Sequence, residues 1–362
     1  METDILTEAR RRLHHIYDLA DCVVVSFSGG KDSQVVLELA HEVAIERGQD
    51  RVNVLFYDEE VIPSGVISQV ERYRALPWVN LLWLTVPLAS RKFILGRTMR
   101  YVQWDPAREW VRPKPEGSWS LPDGDTRVLE QHDLNPLIAD HFAPGRGRVA
   151  VLLGLRAQES IYRYRGVVSR LHDNYIVPRK GTRVFTASPI YDWLEMDVWR
   201  FMWEHDLHYA PTYDHQLWGG GGNALRVSTP LHPQSAKRID VLRDYDPEFF
   251  DAILGVFPEV AVQARYWSEF NQEAGRAALL AEYGQSIEGI RRYIMECIED
   301  PLDRSEALKK LRGVEPRVRA QPDYFPLDHL LAIFVGGSYH KGIFPVSLAR
   351  DQAAAMLRDQ DV

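Results

Sequence analysis

Cysteine is nearly absent from this chain: only Cys22 and Cys297 occur among 362 residues. No Cys-x-x-Cys pair exists, so one chain cannot assemble an iron–sulfur cluster or a four-cysteine zinc site from its cysteines. Cys22 opens an apolar stretch and Cys297 lies in the helix-like Ile294-Met295-Glu296-Cys297-Ile298. Both read as small hydrophobes rather than nucleophiles. No run of about 18 apolar residues is present, which excludes a transmembrane helix. The acidic start Met1-Glu2-Thr3-Asp4 lacks a signal-peptide core, so a cytoplasmic location is expected. Excess positive charge is missing too: the net charge is −8, and no global basic field recruits nucleic acid or anionic membrane. His132, His141, His205, His208 and His215 show no metal-ligand spacing and read as structural. Internal repeats and low-complexity linkers are absent.

Two familiar nucleotide loops are also missing. A Walker A loop needs a glycine, four residues, then Gly-Lys-Ser/Thr; here Gly30-Lys31 is followed by Asp32, and Val25 occupies the earlier glycine position. The dinucleotide fingerprint Gly-x-Gly-x-x-Gly does not occur. What does occur is the run from Val23 to Ser33: an apolar strand, a tight turn Ser26-Phe27-Ser28-Gly29-Gly30, then a helix starting near Ser33. Adjacent glycines let backbone approach a ligand, and a helix start offers unpaired N–H groups and the positive end of a dipole. Such a turn is a seat for phosphate. The alternative is a Gly-Gly turn capped by Asp32 or Ser33.

The surrounding periodicity gives the fold class. Residues 5–19 carry apolar positions at helical spacing, and Val23–Phe27 is a strand. Val35, Val36, Leu39, Ala40, Val43 and Ala44 mark a helix, Val52–Tyr57 a strand, Val66–Leu76 a helix and Val79–Val86 a strand. This β-α-β-α-β order predicts an α/β fold: a parallel, twisted, Rossmann-like sheet with helices on both faces. Ligands of such sheets bind at the carboxyl ends of strands, where the glycine turn and Asp58 fall. Val149–Leu153 is a further strand, a strand-like piece ends at Ser188, and a helix carries Met196, Val198, Trp199, Phe201 and Met202. Residues 90–148 mix Tyr101, Trp104, Trp110 and Trp119 with prolines and read as an insertion over the sheet edge, a candidate lid. After Pro230 the pattern is mostly helical: Ala236–Tyr245, Pro247–Leu254, Val260–Tyr283, Ile287–Cys297, Arg304–Leu311 and Leu348–Leu357. The composition shift near 232 divides the chain into 1–231 and a helical region, 232–362.

Three clusters carry candidate chemistry. Arg156, Arg163, Arg165, Arg170, Arg179, Lys180 and Arg183 stand against only Glu159 and Asp173, directly after a strand end. Guanidinium groups suit bidentate binding of phosphate, sulfate or carboxylate, although a charge run is also the usual sign of a solvated face. Asp58-Glu59-Glu60 follows a strand and reads either as a ligand-facing group or as the acidic start of the next helix. Gly219-Gly220-Gly221-Gly222-Asn223 reads as a loop that closes over substrate or as a plain connector.

Ser28-Gly29-Gly30-Lys31-Asp32-Ser33 resembles the Ser-Gly-Gly-x-Asp-Ser loop of the N-type ATP pyrophosphatases, which cleave ATP between its α and β phosphates. Gly154-x-Arg156-x-x-Glu159-Ser160-x-x-Arg163 resembles a motif of the phosphoadenosine phosphosulfate reductase branch of that superfamily. Pro189-Ile190-Tyr191-Asp192-Trp193-Leu194-Glu195-Met196-Asp197-Val198-Trp199 is similar to a segment shared by those reductases and the small subunit of ATP sulfurylase. The resemblance covers roughly residues 22–231. It implies that backbone N–H groups of Gly29, Gly30 and Lys31, with the Ser26, Ser28 and Ser33 hydroxyls, hold the β and γ phosphates of ATP. Lys31 adds a point charge and Asp32 helps hold Mg²⁺. Asp58 faces the adenosine, with Phe56 and Tyr57 lining the base pocket. Gly154, Glu159 and Ser160 build the second motif, and an anionic acceptor held by Arg156, Arg163 and Arg226 attacks the α phosphorus.

One feature of the reductases is lacking. Their C-terminal cysteine, within Glu-Cys-Gly-x-His, has no counterpart here, and a thiol nucleophile needs a cysteine beside the nucleotide. The leading expectation is therefore an ATP α-β pyrophosphatase that adenylates an anionic acceptor. The second is a nucleotide-sensing subunit of a defence or gene-control system with a ParB-like partner docked on the helical region, and the third is a sulfonucleotide reductase.

Overall fold

The computed structural model describes residues 4–94, 97–168, 173–179, 181–218, 227–232, 235, 239–266, 272–343 and 345–346. The chain divides into two compact units, Met1–Ala89 with Val102–Pro230 and Val241–Ala252, and Ser90–Tyr101 with Leu231–Asp240 and Ile253–Val362.

In the first unit the order is α1 (Ile5–Leu19), β1 (Cys22–Ser26), α2 (Lys31–Glu46), β2 (Val52–Tyr57), α3 (Ser64–Arg74) and β3 (Val79–Leu84). The strands β4 (Leu88–Ile94) and β5 (Arg97–Gln103), which lie largely in the second unit, pair with each other. Then come α4 (Leu134–Phe142), β6 (Val149–Leu153), α5 (Ile161–Val168), β7 (Ile176–Pro178), β8 (Val184–Ala187), α6 (Glu195–Glu204) and α7 (Thr212–Trp218). The main sheet runs β3-β2-β1-β6-β8-β7. All its pairings are parallel except β7 on β8, where Val177 faces Thr186. The expected parallel sheet thus ends in one antiparallel strand. Pro178 fits that place, because an edge strand can spare a ladder N–H.

Alternation along the strands explains the layers. Val23, Val25, Val54, Phe56, Ala150 and Leu152 turn to one face and pack with α1, α2, α3 and α6. Val24, Leu55, Leu82, Leu84, Val149 and Val151 turn to the other, against Leu134, Ile138 and Ala139 of α4 and against Leu129. Strands buried on both sides read as continuous apolar runs, which is how the sequence announced them. The 90–148 stretch is more ordered than its composition suggests. Besides the β4–β5 pair and α4, it lays Trp119 alongside β3, with the Thr85 N–H donating to the Trp119 carbonyl at 2.9 Å and the Trp119 N–H to that of Trp83 at 2.7 Å. That pairing covers the edge of β3. Within the first unit, Trp119, Leu129 and α4 therefore close the second face and one edge of the sheet.

The helices α8 (Ile239–Tyr245), α9 (Pro247–Val256), α10 (Glu259–Tyr266) and α11 (Gln272–Tyr283) follow in the chain. The second unit has a core of Ile290, Ile294, Ala307, Leu311, Leu330, Leu331 and Phe334, drawn from α12 (Ile287–Cys297), α13 (Pro301–Ala320) and α14 (Leu327–Val335). The helix expected over Arg304–Leu311 extends to Ala320 despite Pro316. The single helix expected over Val260–Tyr283 is described as two, Glu259–Tyr266 and Gln272–Tyr283. The helix expected at Leu348–Leu357 lies outside the described residues. Among the described residues no helix is long and apolar enough to cross a membrane.

Candidate functional site

The chain builds β1, then β2 and β3 to one side, and returns to place β6 and β8 on the other. The order of strands reverses between β1 and β6, and the carboxyl ends at such a reversal form the ligand crevice of an open α/β sheet. The Ser26–Gly30 turn leaves β1 there, and the Gly154–Ser160 turn leaves β6 beside it.

These two turns touch. A Cβ on Gly154 would lie 2.5 Å from the Ser33 nitrogen and 2.6 Å from the Asp32 carbonyl carbon. Only glycine lets the second turn pass so close to the start of α2. That helix begins at Lys31, two residues before the sequence suggested, with the Gln34 N–H bonding the Gly30 carbonyl at 3.0 Å. Gly29 has φ +73°, a left-handed conformation that glycine adopts without penalty. The Ser33 hydroxyl donates to the Gly30 carbonyl at 2.9 Å, lies 2.9 Å from the Ser28 hydroxyl and accepts the Ser28 N–H at 3.1 Å. Ser26 ends β1 in register with Leu55 and Leu153.

Charge then links all three motifs. Asp32 accepts from Arg156 Nε at 2.5 Å and from Lys31 Nζ at 3.2 Å, one cation on each oxygen. Lys31 Nζ also lies 3.3 Å from Glu195, the first residue of α6. Gln158 Oε1 accepts from Arg156 Nη1 at 2.8 Å and from the Glu195 N–H at 2.8 Å, closing the circuit. Lys31 and Arg156 are both buried, and these partners offset the cost of taking their charges out of water. Trp199 of the third motif and Tyr213 set their rings 5.8 and 5.4 Å from Lys31 Nζ. The Tyr213 hydroxyl accepts the Lys31 N–H at 3.0 Å, and burial holds its ionisation far above the usual tyrosine range.

The rest of the second motif folds on itself. Glu159 accepts the Arg156 N–H at 3.1 Å and pairs with Arg163, while the Ser160 hydroxyl accepts the Arg163 N–H at 3.3 Å at the start of α5. Asp192 of the third motif is structural: its carboxylate takes both ends of the buried Arg12 guanidinium, at 2.7 and 2.6 Å.

Two expectations change. Asp32 does not present a free carboxylate to Mg²⁺, because each of its oxygens already accepts from a cation. Asp58 does not offer a free carboxylate to adenosine. It is buried, accepting from Trp83 Nε1 at 2.7 Å, from the Glu60 N–H at 2.9 Å and from Arg112. Phe56 is buried in the sheet core edge-on to Trp83, and Tyr57 packs among the apolar residues of the opposite face. Glu60, fully buried with φ +66°, accepts both Arg108 Nη groups at 2.6 Å and the N–H groups of Trp104 and Val111. The acidic triplet thus pins the 102–112 stretch over the end of β2. Glu59 is the member left half-buried. Desolvation, with the Asp58 charge second, pushes its carboxyl up to about 7 against the opposing pull of the Thr229 N–H.

Arg226, Arg170, Lys180 and the Gly219–Asn223 run lie outside the described residues. Gln158, Glu195, Trp199 and Tyr213 were not singled out from sequence. Gln158, Glu195 and Trp199 sit inside the recognised motifs, which was the available signal; Tyr213 carried none.

The strand reversal and the glycine turn define an α/β protein whose Ser28–Ser33 turn resembles the loop of the ATP pyrophosphatases. Residues 133–250 match the phosphoadenosine phosphosulfate reductase domain family. The Escherichia coli K12 protein YbdN is 27% identical over 264 residues, 69% of this chain and 64% of YbdN. The phosphoadenosine 5'-phosphosulfate reductase of Xylella fastidiosa M12 is 33% identical over 86 residues, 24% of this chain and 32% of the reductase. The chain thus spans less than two thirds of either relative. A solved FMN adenylyltransferase of Candida glabrata aligns with a TM-score of 0.38 and 11% identity, covering 58% of each chain. By these sequence matches and the shared motifs, the chain is similar over part of its length to proteins of the phosphoadenosine phosphosulfate reductase family.

Proposed function

We propose that this protein binds ATP on the Ser26–Ser33 turn and splits it between the α and β phosphates, passing AMP to an anionic acceptor and releasing pyrophosphate. The observation that carries this reading is the convergence of the three motifs on the linked charges Arg156, Asp32, Lys31 and Glu195 at the strand reversal. The β and γ phosphates would sit at the start of α2, where helix N–H groups and the Ser28 and Ser33 hydroxyls are gathered. Lys31, already desolvated, would exchange Glu195, whose side chain is 41% exposed, for a phosphate oxygen. Arg156 would meet charge developing at the α phosphorus, with Asp32 fixing its guanidinium plane. Catalysis of this kind rests on positioning and charge neutralisation.

Cys22 is poorly placed for thiol chemistry. Cys22 lies at the end of β1 opposite the turn, and burial raises its pKa despite the Asn53 amide at 3.3 Å. The test is direct. Purified protein given ATP, with and without divalent cation and candidate anions, should release pyrophosphate and form an adenylated product or AMP. Release of ADP and phosphate instead, or dependence on either cysteine, would sink the reading.

A further inference from the structure

The proposed reaction needs a cation for the acceptor, and both arginines of the second motif already hold carboxylates: Arg156 pairs with Asp32 and Arg163 with Glu159. The same rim of the sheet carries another cation. Lys114 lies where the 102–120 stretch crosses the carboxyl ends of β2 and β3. Its neighbours Pro113 and Pro115 restrict the backbone on both sides. Its Nζ donates to the Ser120 hydroxyl at 3.0 Å and stands 4.8 Å from the Trp110 ring and 5.8 Å from Trp104. The Ser120 hydroxyl is 2.8 Å from that of the buried Thr85, and the Ser118 hydroxyl is 3.1 Å from it. Three hydroxyls and an ammonium are therefore gathered at one strand end.

Asp58 is committed to Arg112, and Glu60 to both ends of Arg108. Neither of these carboxylates pairs with Lys114. Among the described residues no carboxylate lies within ion-pair distance of it. Partial burial lowers its pKa, with Asp58 and Glu60 pulling the other way. A half-buried ammonium whose direct contacts are rings and a hydroxyl is costly to keep unless an anion completes it.

We propose that Lys114, with the Ser118 and Ser120 hydroxyls, is an anion subsite that receives the carboxylate, sulfate or phosphate group of the acceptor. The subsite stands on the local geometry; its assignment to the acceptor rests on the adenylation reading. In a two-dimensional sheet the ends of β1 and β3 are about 10 Å apart, two strand spacings. An acceptor held by its anionic end at β3 could thus present a second oxygen toward a nucleotide seated at β1.

The experiment follows individual lysines. The intact protein is acylated with an amine-reactive ester, and labelling rates at Lys114 and Lys31 are read by mass spectrometry. Sodium sulfate, sodium acetate and sodium pyrophosphate are compared with chloride at matched ionic strength. Sulfate or acetate should slow labelling of Lys114 several-fold. That protection should persist in Lys31→Ala and vanish in Ser118→Ala/Ser120→Ala. Lys114→Met should keep or raise the melting temperature, because it removes an uncompensated charge. If Lys114 ignores sulfate and acetate while pyrophosphate still shields Lys31, the subsite is wrong and the phosphate-loop reading stands. If neither lysine responds to any anion, both fall. Sulfate-insensitive labelling together with a marked loss of stability in Lys114→Met would make the ammonium a purely structural group.

Discussion

Asp32 sits where two demands meet. The resemblance assigned it to a metal, yet in the folded chain it neutralises the buried Arg156 and Lys31. Removing one partner of a buried pair leaves an uncompensated charge and costs about 3–5 kcal/mol. Asp32→Asn should therefore lower stability by roughly 3 kcal/mol, near the lower end because the side chain is 16% exposed. It should lose pyrophosphate release at the same time. The double variant Asp32→Asn/Arg156→Met should recover most of the stability in urea denaturation and none of the activity; equal losses in single and double variants would refute the pairing. Glu59 gives a prediction in pH. Its carboxyl keeps a proton up to about pH 7 in the folded chain, against an ordinary value of 4.5. Between those values the native state binds more protons than the unfolded one, so stability falls as pH rises through that window, by at most about 1.4 kcal/mol per unit. Glu59→Gln should flatten that part of the stability-versus-pH curve and be the more stable protein at pH 8. An unchanged slope would show that Glu59 titrates normally.

The elements differ in how openly the sequence declared them. Val23–Ser26, Val52–Phe56 and Val149–Leu153 stood out because strands buried on both faces are apolar throughout. Strand β7 did not: three residues ending in Pro178 carry no period, and only tertiary pairing with β8 makes them a strand. The glycine turn was legible since its chemistry is local. Its electrostatic partners were not. Arg156, Glu195 and Tyr213 lie 124 to 182 residues from the groups they bind at the start of α2, and no local rule pairs them. The Asp58–Glu60 network is the same case, reaching about 50 residues ahead to Arg108 and Arg112 in a stretch with no hydrophobic period. That network should govern the order of the element it holds. Glu60→Gln removes the charge that Glu60 sets against Arg108 and should cost about 3–5 kcal/mol. Limited proteolysis should then cut first within 102–118, and a cleavage pattern identical to wild type would mean the stretch is held by its aromatic packing instead.

At the scale of the whole molecule, the strand reversal brings segments far apart in sequence to one end of the sheet, while the second unit has its own core of α12, α13 and α14. A ligand that binds only the native state stabilises it by RT ln(1 + [L]/Kd), about 2.7 kcal/mol at a hundred times Kd. Local opening reports that gain only where the bound segments must come apart. Hydrogen exchange with and without ATP should therefore slow at 26–34 and 154–160 and at the start of α6, around Glu195. The Ile290–Phe334 core should exchange at the same rate in both samples. AMP should give weaker protection at 26–34 than ATP, because the turn is read as holding the β and γ phosphates, and pyrophosphate alone should restore it. Equal protection by AMP and ATP would move the nucleotide off the glycine turn. Protection appearing first in 287–335 would move it off the sheet altogether.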